Sequence, residues 1–250
     1  MKHVILTGAS KGIGKALSEN FSGEEIVLHL IARSDMNKLK QNNKSKVHDI
    51  FLYNFDLSNS TQITNLIEDI FENIHNPNFI ALLNNAATIN PIGPIGKVSS
   101  KGIEKQIKVN LIAPTILSNE FIKKTRKINC KKRIINISSG ASRDPYYGWG
   151  PYCASKAGID MLSKVIAVEQ NKQDDQNKVE ILSLSPGIVN TKMQEEIRKQ
   201  PKENFIYVGK FIEYFKSDIL RNPNDVAKKI IDLLFLDFFP DGERMDINEL

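Results

Sequence analysis

Six short runs of Val, Ile and Leu, most of them apolar for nearly their whole length, constrain this chain more than any other feature. They are "VILTG" at 4–8, "IVLHLIA" at 26–32, "DIFLYNFD" at 49–56, "FIALLNNAA" at 79–87, "RIINISS" at 133–139 and "VEILSLSPG" at 179–187. A strand with one wet face alternates apolar and polar residues, whereas one that is apolar throughout is covered on both faces. Longer stretches with helical period separate the runs: "KGIGKALSENFS" at 11–22, "STQITNLIEDIFENI" at 60–74 and a single long stretch at 101–127. Strands covered on both sides and alternating with helices predict an α/β chain, a doubly wound parallel sheet with helices on both faces, in a single domain. Right-handed crossovers then place ligands at the carboxyl ends of the strands.

At 250 residues the chain is long enough to bury roughly 70–75% of its unfolded surface without staples. No apolar run approaches the roughly 20 residues of a membrane span. Met1 runs straight into "HVILTG", without the charged and apolar regions of an export signal, so the cytoplasm is the expected compartment. The two cysteines, Cys130 and Cys153, are too few for a disulfide framework and lack metal-ligand spacing, so no metal is expected. The formal charge is +5, with the densest basic stretch "KKTRKINCKKR" at 123–133. That stretch reads as the solvated end of a helix rather than a nucleic-acid patch, and no nucleic-acid partner is expected.

Two later segments frame the rest. "EQNKQDDQNK" at 169–178 is a polar connection. Residues 191–222 form an excursion before the helix "DVAKKIIDLLF" at 225–235. Because the excursion follows a strand's carboxyl end it reads either as a mobile lid over a ligand or as an ordinary pair of packed helices.

"TGASKGIG" at 7–14 follows the first strand and opens the first helix. Glycine lets the backbone approach a pyrophosphate, and free N–H groups at a helix start favour anions, so Gly8, Ser10, Lys11, Gly12, Ile13 and Gly14 form a candidate phosphate cradle. The glycine spacing differs from the usual G-x-G-x-x-G fingerprint. Further on, Tyr152 and Lys156 stand at i and i+4 of a helix and share a face. A phenol that donates its proton near neutral pH benefits from a neighbouring cation that stabilises the phenolate left behind.

Together with "NNAA" at 84–87, "VN" at 109–110, "NISS" at 136–139, "YCASK" at 152–156 and "PGIVNT" at 186–191, these motifs resemble the ordered set of the short-chain dehydrogenases/reductases. The chain departs from that set at Ala87, where glycine is usual. The resemblance implies a Rossmann-type fold and a homo-oligomer, with a dimer favoured. It also implies a small-molecule carbonyl substrate and a catalytic set of Asn110, Ser139, Tyr152 and Lys156. In it the lysine also holds the nicotinamide ribose, the serine orients the carbonyl oxygen and the asparagine anchors a water relay. The resemblance puts Asp56 and Leu57 beside the adenine, Asn84 and Ala86 along the ribose, and Ile188 and Thr191, with Pro186 and Gly187 leading in, at the nicotinamide amide.

The end of the second strand reads "LIARSD", with Ala32 where NAD-dependent enzymes carry an acid for the ribose 2′-hydroxyl. Arg33 can fork onto a 2′-phosphate and Lys11 can add a second charge, so NADP(H) is the expected cofactor. The alternatives are that both are solvated cations, or that Asp35 serves NAD. Within the family, "YYGWGPYCASKAGIDMLSKVIAVE" at 146–169 and the tail "DGERMDINEL" at 241–250 resemble the sepiapterin reductase and bacterial benzil reductase branch. Trp149 is then a wall for a flat conjugated substrate, or else a core or dimer contact. Asp246 either grips a substrate's ring nitrogens or is solvated. The expected function is NADPH-dependent reduction of one carbonyl of an α-dicarbonyl, with Tyr152 as general acid. The alternatives are a 3-oxoacyl or hydroxysteroid-type reductase and a non-catalytic dinucleotide binder, the last disfavoured because a binding protein has no need of the acid group.

Overall fold

The computed structural model describes residues 1–43, 46–174 and 177–250. Positions 175 and 176, within the polar connection expected at 169–178, lie outside the described residues. The elements run β1 (Lys2–Thr7), α1 (Gly12–Asn20), β2 (Gly23–Ala32), α2 (Asn37–Asn43), β3 (Val47–Asn54), α3 (Ile63–Phe71), β4 (Phe79–Asn84), α4 (Ser100–Ile107), α5 (Ala113–Thr125), β5 (Lys131–Ile137), α6 (Gly150–Gln170), β6 (Glu180–Ser185), α7 (Lys192–Arg198), α8 (Val208–Lys216), α9 (Pro223–Leu234) and β7 (Arg244–Asp246). One sheet in the order β3-β2-β1-β4-β5-β6-β7 joins all seven strands, and every neighbouring pair is parallel. The strand order reverses between β1 and β4, which opens a crevice at their carboxyl ends.

Outside the edge strand β3 the apolar runs are buried on both faces, and the period of two divides them. Val4 and Leu6 join a core with Leu17 of α1 and Val226 and Ile230 of α9. Ile5 points the other way, into a core with Ile67 of α3, Leu117 of α5 and Ile166 of α6. Helices therefore cover both faces, and burial of these side chains is the main force holding the layers together.

Three features depart from the sequence pattern. The single helix expected over 101–127 is broken: α4 and α5 are separated by a π-helical turn at Lys108–Ile112. Such a turn carries one residue more than the α-helix and swings a side chain out of register, a form frequent at functional sites. Here the displaced side chain is Asn110. The second feature is α2, which has no apolar stripe long enough to announce it. The third is β7, only three residues of "RMD", too short to show a strand period.

The basic stretch at 123–133 does not form one charged face. Lys123 pairs with Glu120 at 2.7 Å and Lys124 with Glu68 at 3.5 Å. Arg133 is buried against Glu180 at 2.9 Å and stacks over Phe239. Among the described residues no helix is long and apolar enough to cross a membrane.

Candidate active site

A cleft of about 770 Å³ runs along the carboxyl ends of six strands. At its nucleotide end the chain leaves β1 through Gly8, whose φ of +70° is a left-handed conformation that glycine adopts without penalty. A Cβ on Gly14 would overlap the Gly8 carbonyl oxygen, and one on Gly8 would press on the Ala86 backbone. The loop is thus a cradle that side chains would fill. Lys11 precedes α1, and no side chain caps the helix there, so the first N–H groups remain available to an anion. Ser10, Lys11, Gly12 and Ile13 all line the cleft.

After β2, Ala32 and Arg33 form the next part of the wall, and after β3 come Asp56 and Leu57. Asp56 accepts from the Ser58 backbone N–H at 2.9 Å and the Ser58 hydroxyl at 2.8 Å, and lies 3.7 Å from the Arg33 guanidinium. Partial burial raises its carboxyl pKa, but the Ser58 hydrogen bonds and the Arg33 charge outweigh it and hold the group below its ordinary value. Asp35 faces elsewhere: it accepts from the Asn37 backbone N–H at 2.9 Å at the start of α2.

The ends of β1 and β4 are tied together. The Thr7 hydroxyl accepts from the N–H groups of Asn85 and Ala86, both at 3.0 Å. Ala86 lines the cleft. Asn84 does not: its amide donates to Asn136 at 2.8 Å and to Ser118 at 3.3 Å inside the core. Ala87, the departure from the family pattern, keeps a negative φ, so a Cβ is tolerated there. Beyond β6, Pro186 and Thr191 face the cleft. Gly187, at φ +71°, turns the chain, and the Ile188 carbonyl accepts from the Arg221 N–H at 2.9 Å.

Tyr152 and Lys156 lie on α6 and enter the cleft wall. Both are buried, and the Lys156 Nζ is 5.8 Å from the centre of the Tyr152 ring. That ammonium donates to the Ile137 carbonyl at 2.7 Å. Burial pushes the Tyr152 phenol up to about 12, against the pull of its hydrogen bond with Ser139. Burial pulls Lys156 down to about 8, which the nearby Asp160 partly offsets. The phenol is therefore protonated at neutral pH. Ser139 heads a short 3-10 turn, with its oxygen accepting from the Ala141 N–H at 3.2 Å. Asn110, delivered by the π turn, accepts from the Thr88 N–H and donates to the Thr88 carbonyl, each at 2.8 Å.

Of the four expected substrate residues, Tyr152 lines the cleft with Ser139 hydrogen-bonded to it, and Trp149 and Asp246 lie outside the lining. Trp149 is buried in an aromatic cluster, stacked on Phe205 at 4.7 Å and edge-on to Tyr152 at 5.6 Å, rather than forming the cleft wall itself. Asp246 ends the tail strand β7 and caps a 3-10 turn, its carboxylate accepting from the Asn248 N–H at 3.0 Å while its own N–H donates to Glu249 Oε2 at 2.9 Å. A carboxylate at a helix start is held by that turn's free donors. The reacting end of the cleft is instead walled by Thr88, Ile89, Asn90, Met193 and Glu196. Only the position of these residues just past β4 and β6 marks them in the sequence.

A doubly wound parallel sheet whose crevice brings Tyr152, Lys156 and Ser139 together defines an oxidoreductase class that interconverts CH–OH and C=O groups. The chain belongs to the short chain dehydrogenases, whose family model matches residues 2–202. It is 36% identical to the benzil reductase ((S)-benzoin forming) of Bacillus cereus, over 100% of both chains. It is 30% identical to the sepiapterin reductase of Rattus norvegicus, over 98% of this chain and 96% of the relative. Its fold superimposes on ElxO with NADP bound at a TM-score of 0.79 and 26% identity, covering 98% of this chain and 96% of that one.

Proposed function

We propose that this carbonyl reductase uses NADPH to reduce one carbonyl of an α-dicarbonyl on a planar or aromatic frame, giving an α-hydroxy ketone. The observation that carries the reading is the buried Tyr152 beside Lys156 at the reacting end of a cleft whose other end is a glycine cradle. Similarity to the benzil and sepiapterin reductases supports the substrate class. The cradle, with Arg33 and Lys11 at its mouth and no acid at Ala32, fits a phosphorylated dinucleotide. Asp35, the residue that favoured NAD, is engaged at the start of α2.

When bound, the reduced nicotinamide supplies the hydride. Ser139 and Tyr152 hold the carbonyl oxygen where negative charge develops. Tyr152 passes its proton to that oxygen, and the charge on Lys156 stabilises the phenolate that remains. Asn110 fixes the Thr88 segment that walls the site and anchors the route by which Tyr152 regains its proton. Trp149 acts through its edge-on contact with Tyr152, holding the phenol's ring.

Residues 191–222 close over this end as a lid. Phe205 and Phe211 rest on Trp149, and the Asn90 amide donates to Glu196 of α7 at 2.8 Å across the mouth. Met161, Val165 and Val168 make an exposed apolar stripe along α6, at 60%, 45% and 65% exposure, which suits a homodimer face. The free thiols of Cys130 and Cys153 suit a reducing compartment such as the cytoplasm.

A panel of benzil, sepiapterin and an acyl thioester, each assayed with NADPH and with NADH, tests the reading. Efficient reduction of benzil or of sepiapterin with NADPH is expected. Activity on the thioester alone would replace this reading with the 3-oxoacyl reductase.

A further inference from the structure

Arg244 lies inside the tail "DGERMDINEL", where the sequence gives it no role. It lies on β7, paired with Ser183 of β6, and the strand is pinned there by the Gly242 N–H donating to the Ile181 carbonyl at 2.7 Å and the Asp241 carboxylate accepting from the Ile181 N–H at 2.8 Å. From that fixed base the buried guanidinium reaches two acceptors. Nε donates to Asp160 Oδ2 and Nη2 to the Ser139 carbonyl, both at 3.3 Å.

Asp160 stands one helical turn beyond Lys156, on the same face of α6. It is buried, and its other oxygen, Oδ1, has no partner among the described residues. A buried carboxylate four positions after a lysine pairs with that lysine unless another cation neutralises it. Here Lys156 donates to the Ile137 carbonyl instead, and Asp160 goes to Arg244.

We propose that Arg244 is a positioning residue. By occupying Asp160 it leaves Lys156 aimed at the cleft, and by holding the Ser139 carbonyl it keeps the Ser139 hydroxyl against Tyr152. The proposal rests on the reading of Tyr152 as proton donor. An arginine suits the task because its planar fork serves two acceptors at once, whereas a lysine is a point charge on a flexible stem.

The test compares Arg244→Met, Arg244→Lys, the double variant Arg244→Met/Asp160→Asn and Tyr152→Phe, with benzil and saturating NADPH, alongside the melting temperature of each. Arg244→Met is expected to lose about tenfold or more in kcat while KM stays within about threefold, and Arg244→Lys to lose about threefold. The double variant, freed of the stranded carboxylate, is expected to return to within about threefold of wild type. A purely structural arginine gives no such recovery in kcat at equal folded fraction. Arg244→Met within about twofold of wild type, or a double variant no faster than the single, overturns the proposal. Should Arg244→Met not fold, Arg244→Lys decides: full kcat overturns the proposal, and the threefold loss at unchanged KM sustains it. If Tyr152→Phe stays active, the reading beneath the proposal fails. If Tyr152→Phe is dead while every Arg244 variant runs at full rate, only the proposal fails.

Discussion

The glycine loop at 7–14 lines one end of the cleft and the Trp149 platform backs Tyr152 at the other, and the two hold their shapes by different means. In the loop the backbone is decisive: Gly8 turns at φ +70°, Gly14 leaves room for the Gly8 carbonyl, and the uncapped start of α1 points its donors outward. Most of that follows from residues within seven positions of each other. The platform is tertiary. Trp149 stacks on Phe205 of the 191–222 segment, Gly148 leaves space for the Asn204 carbonyl, and Ser139 is held by Arg244, 105 positions further along the chain. A site made of local backbone states keeps its signature in the sequence, whereas one made of distant side chains does not.

The largest effect expected lies where the two ends meet. Tyr152→Phe removes the proton donor but leaves Lys156 and the whole glycine cradle in place. Turnover should fall by roughly two to four decades, with NADPH affinity within about threefold of wild type. Steady-state rates and a fluorescence titration of NADPH measure the two halves separately. Loss of both together would mean that the ends of the cleft are not independent.

Legibility in the sequence follows the same division. Five of the six long strands were readable because burial on both faces makes them apolar nearly end to end, and the edge strand β3, with His48, Asp49 and Asn54 exposed, was readable from its apolar middle. β7 was not, because three residues carry no period and its partner β6 decides its place. Helix content over 101–127 was readable, but the π turn at Lys108–Ile112 was not, since its Asn110 pairs with Thr88 in the distant loop after β4. Asp246 was visible through the tail's resemblance as a candidate substrate contact, but its engagement with Asn248 and Glu249 depends on a turn that the residue types alone do not announce. The wall formed by Thr88, Asn90 and Glu196 likewise exists only once β4 and β6 are adjacent to the same crevice.

The next effect, in order of size, sharpens the comparison through pH. Lys156 sits at about 8 because burial disfavours its charge. The ammonium is needed to stabilise the phenolate, so kcat should be level below roughly pH 7 and fall as pH rises through about 8, by at most about tenfold per unit. A rate that rises across that window would show that the neutral amine is the working form. Cofactor affinity contributed by the glycine loop, which rests largely on backbone N–H groups, should change far less over the same range.

Arg33→Asp probes the nucleotide end alone. Arg33 is 60% exposed at its side chain and already shares its charge with Asp56, so solvent screens part of its attraction for a 2′-phosphate. The loss should lie near the low end for a charge-assisted contact, about 1.5 kcal/mol or roughly tenfold in NADPH affinity. The new carboxylate offers the 2′-hydroxyl of NADH an acceptor, so preference should move toward NADH. Equal use of the two cofactors by the wild-type protein would remove the basis for this assignment.

The smallest effect is expected from Asp246→Ala, and it is the one that most directly separates a structural tail from a substrate-binding one. The carboxylate accepts from the Asn248 N–H at 3.0 Å and from its side-chain amide at 2.6 Å, so it already serves as a cap. Losing such a cap costs about 0.5–1 kcal/mol, which for a chain of this size lowers the melting temperature by roughly 1–4 °C. Because the walls of the cleft are made by other residues, kcat/KM for benzil and for sepiapterin should both stay within about twofold of wild type. A pterin N–H pair held by this carboxylate would behave differently: sepiapterin reduction would drop by roughly one to two decades while benzil, with no N–H to offer, stayed unchanged. That split would move Asp246 from the scaffold into the substrate end of the cleft, and would mean that the tail rearranges when substrate binds.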